Sequence, residues 1–243
     1  VQIGGGLFLL RQVRRTGLVS RTAVHRWRPD RRILKAIAGQ GIPASLNMMT
    51  VALGIFVITY FLSWFGQNAV AAYGAATRIE QLVLLPAMGL NTAALALVAQ
   101  NGGAGRFDRV RTTVQTALTY GTVLMVAGGA LVFFGASPLM RMFSSDPDVV
   151  AIGVHYLRIA AFIQHAYVFL FINTSVLQGL KKPAFALWIG LYRQLVMPPA
   201  LFYLLTRVFD FGLDGIWWSV LAIAWSAAII AIVYARRQVA KLE

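Results

Sequence analysis

The chain is organised as long apolar runs separated by short polar segments. Six complete runs lie near 40–65, 71–99, 112–135, 149–178, 184–205 and 215–235. Each run reaches the roughly 20 residues that a membrane-spanning helix needs. The strict alternation of apolar and polar residues that marks barrel strands is absent, so we predict helices. The pattern therefore predicts an all-α, polytopic membrane helix bundle with six complete transmembrane helices.

The first residues differ from a secretory signal peptide. Residues 1–10 are apolar and precede the basic segment 11–38, which reverses the order found in a signal peptide. We interpret residues 1–10 as the end of a preceding transmembrane helix, and we therefore expect the sequence to begin partway through a longer protein. Residues 22–38 mix arginine with tryptophan, isoleucine and leucine, which suits either an amphipathic helix on the membrane surface or a solvated linker.

Composition separates this chain from soluble proteins. It has 58% hydrophobic and 12% charged residues, whereas soluble domains carry about 25% charged residues. The net charge is +14, which is typical either of a nucleic-acid surface or of the basic cytoplasmic loops of a membrane protein. The absence of cysteine excludes disulfides, thiolate metal sites and cysteine nucleophiles.

The placement of the basic residues favours the membrane alternative. Segments 11–38, 100–111, 179–184 and 236–243 hold 17 Lys and Arg residues, whereas the alternating segments 66–70, 136–148 and 206–214 hold 2. This asymmetry predicts that the basic loops and the C-terminal tail are cytoplasmic, and it accounts for the net charge without nucleic acid. The topology-setting residues of the two short loops are Arg106, Arg109, Arg111, Lys181 and Lys182.

The stretch "AQNGGAGRFDRVR", residues 99–111, raises the question of a phosphate-binding loop. It has neither the Gly-Lys-Ser/Thr of a Walker loop nor the third glycine of a dinucleotide fingerprint, and it follows a long apolar run. We interpret it as a tight turn between two helices, with Gly102 and Gly103 in the left-handed conformation that ends a helix. Asp146-Pro147-Asp148 predicts a helix start, and Pro198-Pro199 predicts a bend.

Several segments together resemble one family. The order "GIPASLN", "GQNAVAAYGAATRIEQL", "LPAMGLNTAALALVAQNGGAGRFDRVR", "LQGLKKP" and "YRQLVMP" is similar to the C-terminal half of a MATE multidrug and toxic-compound extrusion transporter. The resemblance covers nearly the whole chain. It implies a twelve-helix exporter of two six-helix lobes, in the bacterial inner membrane, which moves amphiphilic, often cationic compounds outward against a proton or sodium gradient and uses no cofactor.

The resemblance also sets out the domains. It makes residues 39–235 the six-helix C-terminal lobe, 11–38 the inter-lobe linker, and 236–243 a cytoplasmic tail. The partners it implies are the lipid bilayer, a small amphiphilic substrate and the missing N-terminal lobe. NorM-like members carry a Glu and an Asp at positions that correspond here to Thr50-Val51 and to the vicinity of Tyr167. This chain has neither carboxylate, so it looks closer to the DinF-like branch.

The second complete helix carries a polar group of side chains inside the membrane. Glu80 and Asn91 lie about 20° apart on a helix, and Thr77, Gln81 and Thr92 fall in the same sector. Glu80 is the only carboxylate inside a predicted span away from its ends. We leave two interpretations open: a proton site or contact for a cationic drug, and a structural ion pair.

Other spans contribute further candidates for the substrate or ion pathway. On the fourth helix, Gln164, Tyr167 and Phe171 share one face, and His165 lies on the opposite side. These side chains either line a cavity, where the two aromatics could contact a cation, or join neighbouring helices. The remaining candidates are Asn47 and Thr50 on the first helix and Arg193 on the fifth, which is a candidate partner for Glu80.

Two other classes of function compete with a cation-coupled exporter. A lipid-linked oligosaccharide flippase of the same superfamily would use the intramembrane arginines for its anionic head groups. An integral-membrane enzyme is disfavoured, because the sequence has no H-E-x-x-H zinc motif, no G-x-S-x-G and too few carboxylates for a dyad. We therefore expect neither a catalytic residue nor a metal site. A further alternative is a fragment that is inactive without the N-terminal lobe.

Overall fold

The computed structural model describes Gly4, Gly6, residues 11–13 and residues 30–241, without the side chains of 36, 40, 43, 44 and 47. Most of the predicted segments 1–10 and 11–38 therefore lies outside the described residues. Residues 1–42 form one compact unit and residues 43–243 a second. The packing and the cavities described below belong to the second unit.

The described residues are helical almost throughout and contain no strand, so the predicted all-α class is confirmed. From Arg31 to Val239, seven α-helices and two π-helical turns follow one another. They are α1 (Arg31–Ser63), α2 (Gln67–Gly103), α3 (Phe107–Arg141), α4 (Pro147–Gly179), α5 (Ala184–Leu191), a first π turn (Tyr192–Val196), α6 (Met197–Tyr203), a second π turn (Leu204–Val208) and α7 (Gly212–Val239).

Among the described residues, four helices are long and apolar enough to cross a membrane, namely α2, α3, α4 and α7. They match four of the six predicted runs. The apolar part of α1 is shorter, over Met48–Ser63, and the run predicted at 184–205 is divided by the π turns. The first and fifth spans therefore stay predictions.

Helix α4 lies at the centre of the bundle. Of the 18 residues in its most apolar stretch, 67% are buried, against 22% in the corresponding stretch of α2 and 28% in that of α3. It packs against α2, α3 and α7. Close approach is possible because small residues lie at the crossings: a Cβ on Gly129 of α3 would come within 3.0 Å of the Ala161 carbonyl oxygen of α4. Helix α7 contributes alanines that are fully or almost fully buried, such as Ala227 and Ala231.

The connections follow recognisable turn chemistry. Asp146 caps α4 as predicted, since its Oδ1 accepts hydrogen bonds from the backbone N–H groups of Asp148 at 2.9 Å and Val149 at 3.3 Å. The glycine prediction for the α2–α3 turn is wrong. Gly102 and Gly103 are still helical, and Gly105 has the positive φ, +69°, because the chain reverses direction only after the helix ends.

The basic residues of the two short loops lie at helix ends. Arg106 and Arg109 are exposed at the start of α3, and Arg111 lies 3.9 Å from the exposed Asp108 one turn earlier. In the α4–α5 connection, Lys181 is exposed and Lys182 donates a hydrogen bond from Nζ to Gln238 of α7. That bond joins the connection to the last turn of α7.

The helical rod from Ala184 to Val208 changes its pitch before the two prolines. Proline has no backbone N–H, so the carbonyl groups of Gln194 and Leu195 lack the donors that an α-helix would supply from Pro198 and Pro199. The first π turn, Tyr192–Val196, lies at this position. A widened turn therefore precedes the two prolines, at which the sequence predicts a bend, and Arg193 and Gln194 belong to that turn.

Candidate functional site

A small cavity of about 100 Å³ lies inside the bundle, between α1, α2, α4, the first π turn, α6 and α7. Most of its wall is apolar. Its polar groups come from two tyrosines and from the π turn. The lining residues discussed below are Gly54, Tyr73, Tyr167, Arg193 and Gln194.

The cation of the cavity is Arg193. Its guanidinium carbon lies 5.3 Å from the centre of the Tyr167 ring, within the range of a cation–π contact. Tyr167 in turn stacks on Phe171 one turn further along α4, with 5.5 Å between ring centres and 14° between ring planes. The sequence placed these three residues among the pathway candidates, and the fold brings them together.

A glycine of α1 makes room for the amide of the π turn. A Cβ on Gly54 would overlap the Oε1, Cδ and Cβ atoms of Gln194, so only glycine allows this approach. Gly54 is itself buried and lines the cavity. The α1–π-turn contact therefore fixes Gln194 against the cavity wall.

Glu80 of α2 is buried, with 7% of its surface exposed. The hydroxyl of Tyr156 on α4 donates a hydrogen bond to its Oε2 at 2.9 Å. The other carboxylate oxygen, Oε1, is buried and has no hydrogen-bond partner among the described residues. Arg193, a candidate partner of Glu80, does not form an ion pair with it: within the part of the chain described, no cation lies within 4 Å of the carboxylate, and Arg193 packs on Tyr167 instead.

Three aromatic side chains connect Glu80 to the cavity, and we call Tyr73, Tyr156 and Trp217 the aromatic cluster. Tyr156 lies edge-on to Tyr73, with 5.4 Å between ring centres, and 4.7 Å from Trp217. Tyr73 stacks on Trp217 at 6.1 Å. Because Tyr73 also lines the cavity, the cluster forms a continuous aromatic wall between the cavity and the carboxylate.

Among the other predicted pathway residues, Thr50, Asn91 and Gln164 do not line the cavity. Gln164 is fully buried, and neither of its amide atoms has a partner among the described residues. Asn91 is half-buried, and its Oδ1 atom is buried and has no hydrogen-bond partner among the described residues. Thr50 is buried with 3% exposed, and Asn47 has its backbone in α1 but its side chain outside the described residues.

Gln81 and His165 also lie apart from the cavity. Gln81 is exposed, since one residue along an α-helix turns the side chain by 100° away from Glu80. His165 faces α3, where its ring lies over Gly129, and its Nδ1 is 2.9 Å from the Ala161 carbonyl oxygen of its own helix. Neither side chain lines the cavity.

Sequence reasoning missed the aromatic cluster. Tyrosine and tryptophan are common in apolar runs, so Tyr73, Tyr156 and Trp217 look like ordinary packing residues. One signal was available: a tyrosine hydroxyl inside a span needs a hydrogen-bond partner, and Glu80 needs one too. Among the described residues, no group of three His, Asp or Glu side chains is close enough to hold a metal ion.

The architecture is that of a polytopic helical membrane protein with a partly polar cavity inside the bundle. The MatE family pattern matches residues 43–203, and the chain belongs to this family, as the sequence resemblance predicted. The match covers the C-terminal half of a MATE protein. The family consists of transporters, and its members need no cofactor.

Two curated relatives and one solved structure illustrate the match. The probable multidrug resistance protein YpnP of Bacillus subtilis is 31% identical over 76% of this chain and 40% of its own length. The multidrug export protein MepA of Staphylococcus haemolyticus is 27% identical over 97% and 51%. A MOP superfamily transporter from Pyrococcus furiosus superposes with a TM-score of 0.84 at 22% identity, covering 90% of this chain and 49% of that one. The chain thus spans about half the length of the relatives it matches.

Proposed function

We propose that this chain is the C-terminal lobe of a secondary active exporter, which moves amphiphilic, cationic compounds outward in exchange for protons or sodium ions. The basic loops and the C-terminal tail then lie in the cytoplasm of a bacterium, and the helices cross its inner membrane. The complete transporter needs an N-terminal lobe as partner. Within the family, the missing carboxylates at Thr50-Val51 and near Tyr167 favour the DinF-like branch.

One observation carries the proposal: Glu80 has one carboxylate oxygen bound by Tyr156 and the other without a partner among the described residues. A carboxylate inside a membrane is costly unless a proton or a cation compensates it. An antiporter needs a group for which its substrate and its coupling ion compete. Glu80 meets that requirement, since a proton and an organic cation cannot both occupy the free oxygen.

The surroundings of Glu80 favour an organic cation as the competitor. Aromatic faces attract cations that have lost their water, and Tyr73 lines the cavity while Tyr156 and Trp217 pack between it and the carboxylate. The remaining wall is apolar, which suits the hydrophobic part of an amphiphile. An inorganic ion alone would gain little from such a wall.

The test is Glu80→Gln in the complete protein, produced in cells that lack their own multidrug pumps. Glutamine keeps the size and the acceptor for Tyr156 but removes the charge. A charge-assisted contact contributes about 1.5–3 kcal/mol, so we expect cationic dye efflux to fall by roughly tenfold or more. Asp210→Asn is the matched control, because Asp210 is exposed and asparagine tolerates its positive φ of +55°.

Efflux at the wild-type level, with normal expression of Glu80→Gln, would contradict the proposal and leave Glu80 a structural residue. A measurement of dye binding to purified protein separates loss of binding from loss of coupling. If the dye still binds but its efflux no longer responds to the ion gradient, Glu80 serves the coupling ion.

A second candidate function follows from Arg193. A guanidinium inside the cavity suits an anionic substrate, such as the pyrophosphate of a lipid-linked oligosaccharide. A flippase predicts that Arg193→Gln abolishes movement of polyprenyl pyrophosphates in vesicles. The exporter predicts instead that the wild type moves cationic dyes and does not move polyprenyl substrates.

A further inference from the structure

A groove on the side of the bundle lies over α4, between α3 and α7, and we call it the lateral groove. It has a volume of about 410 Å³ and shares no lining residue with the cavity near Tyr73 and Arg193. The lining residues used below are Phe133 of α3, Arg158 and Phe162 of α4, and Trp218, Leu221 and Trp225 of α7. Among the described lining residues, Arg158 is the only one with a charge.

The wall of the lateral groove is aromatic and accessible from outside. Phe162 is 57% exposed and Trp218 is 50% exposed, while Phe133, Leu221 and Trp225 are half-buried. The Phe133 and Phe162 rings lie edge-on, with 6.1 Å between their centres. Trp225 follows Trp218 by two turns of α7, which places it about 10 Å further along the helix. The groove therefore runs parallel to the helices, which is also the direction of an acyl chain in a membrane.

Arg158 places a positive charge at the depth of the hydrocarbon. It lies eleven residues after the start of α4, about 16 Å along the helix, and its side chain is exposed. Helix α4 has 33 residues and is about 50 Å long, so it exceeds the hydrocarbon, about 30 Å thick, by about 10 Å at each end when the excess is shared equally. A charge about 6 Å inside the hydrocarbon is costly unless an anion accompanies it.

The described residues supply no carboxylate for Arg158. Its guanidinium carbon lies 6.0 Å from the centre of the Phe133 ring, and no described carboxylate lies within 4 Å of it. The acid to be counted is Asp214 near the start of α7, whose Oδ1 lies 3.0 Å from Nε2 of His155. Asp214 precedes Trp218 by one turn, about 6 Å nearer the membrane surface, and about half of its side chain is exposed. Asp214 therefore contacts His155 and water, and Arg158 keeps its positive charge beside an apolar wall.

We propose that the lateral groove binds one anionic phospholipid from the leaflet at the α3–α4 connection. Its phosphate accepts hydrogen bonds from the Arg158 guanidinium, a pairing that is charge-assisted and stronger than a neutral hydrogen bond. One acyl chain follows Trp218 and Leu221 towards Trp225. A soluble anion would gain the arginine but not the apolar wall. A neutral lipid or a second copy of the chain would cover the wall but leave the charge without an anion.

The test measures how phospholipids with brominated acyl chains quench the tryptophan fluorescence of the purified complete protein in detergent. Bromine quenches an indole only in near contact, so Trp218 and Trp225 report on the groove. Phosphatidylglycerol is compared with phosphatidylcholine, which has the same brominated chains but no net charge. We expect phosphatidylglycerol to reach half of its quenching at about fivefold lower concentration, from the attraction of one arginine.

The charge of Arg158 is tested by three variants. Arg158→Gln should remove the difference between the two lipids, and Arg158→Lys, which keeps the charge, should retain it. Arg141→Gln is the matched control, because Arg141 is exposed at the same end of the bundle but does not line the groove. It should retain the difference as well. An equal loss in Arg158→Gln and Arg141→Gln, or in Arg158→Gln and Arg158→Lys, would overturn the proposal.

A second pair of variants locates the bound lipid and decides the matter if the Arg158 variants do not fold. Trp218→Phe/Trp225→Phe should lose the stronger quenching by phosphatidylglycerol. Trp188→Phe should retain it, because the exposed Trp188 of α5 does not line the groove. Equal losses in these two variants would overturn the proposal. So would equal quenching by the two lipids in the wild type, displacement of phosphatidylglycerol by soluble glycerol phosphate at the same concentration, or a dimer that neither lipid quenches.

Discussion

Replacing Trp217 by alanine is expected to lower the free energy of unfolding by about 3–5 kcal/mol. Trp217 is fully buried and contacts both Tyr73 and Tyr156, so the substitution removes the largest side chain of the core and leaves a cavity. In a membrane bundle this loss matters because packing, rather than exclusion from water, joins the helices. The measurement is the melting temperature of the purified protein in detergent, together with its unfolding in increasing concentrations of SDS.

The neighbouring Trp218 provides the control for Trp217. It follows Trp217 on α7, is 50% exposed, and should therefore cost far less when replaced by alanine. A Trp217→Ala protein as stable as Trp218→Ala would contradict the packing described for the aromatic cluster. We also expect Trp217→Ala to reduce efflux in the stable fraction, because Tyr156 would lose the ring that fixes its hydroxyl against Glu80.

Replacing Gly129 by leucine is expected to cost about 3 kcal/mol, at the upper end of the range for an overpacked core. Even a Cβ at this position would lie 3.0 Å from the Ala161 carbonyl oxygen and 3.0 Å from the ring of His165. The carbonyl belongs to the backbone of α4 and cannot rotate away. The leucine must therefore push α3 away from α4. The measurement is size-exclusion chromatography after mild heating, in which we expect the variant to lose its monodisperse peak.

Gly74 of α2 is the matched glycine for Gly129. It lies in the middle of a helix too, but a Cβ there would meet nothing within 4 Å. Gly74→Leu should leave the melting temperature nearly unchanged. Similar losses for both variants would mean that glycine is needed for helix geometry in general, and that the α3–α4 crossing has no special requirement.

The transmembrane helices are predictable because hydropathy and length are local properties of the sequence. The run predicted at 71–99 is the inner part of α2, which extends from Gln67 to Gly103. The ends were set too short because a helix of 37 residues is about 55 Å long and continues beyond the hydrocarbon, about 30 Å thick, into the polar region. A glycine with a left-handed backbone was predicted for the α2–α3 turn, but the residue that adopts it is Gly105 and not Gly102 or Gly103.

The candidate site is predictable only in part, because its contacts join distant parts of the chain. Glu80 and Arg193 were identified because charges are rare inside apolar runs. Their partners were not, since Tyr156 lies 76 positions from Glu80 and no periodicity links them. Tyr167 and Phe171 were found together because they are four residues apart on one helix face. Trp217 gave no signal, since burial alone distinguishes it from Trp218.

Because of the first π turn, the number of residues in this segment, and not only their types, decides which side chains line the cavity. A π turn holds one residue more than an α turn, so deleting a single residue between Tyr192 and Val196 would restore the regular pitch. Because the widened turn absorbs that residue, the helices on both sides would keep their phase. Arg193 and Gln194 lie in the turn itself, so such a deletion would change the polar part of the cavity wall without any substitution.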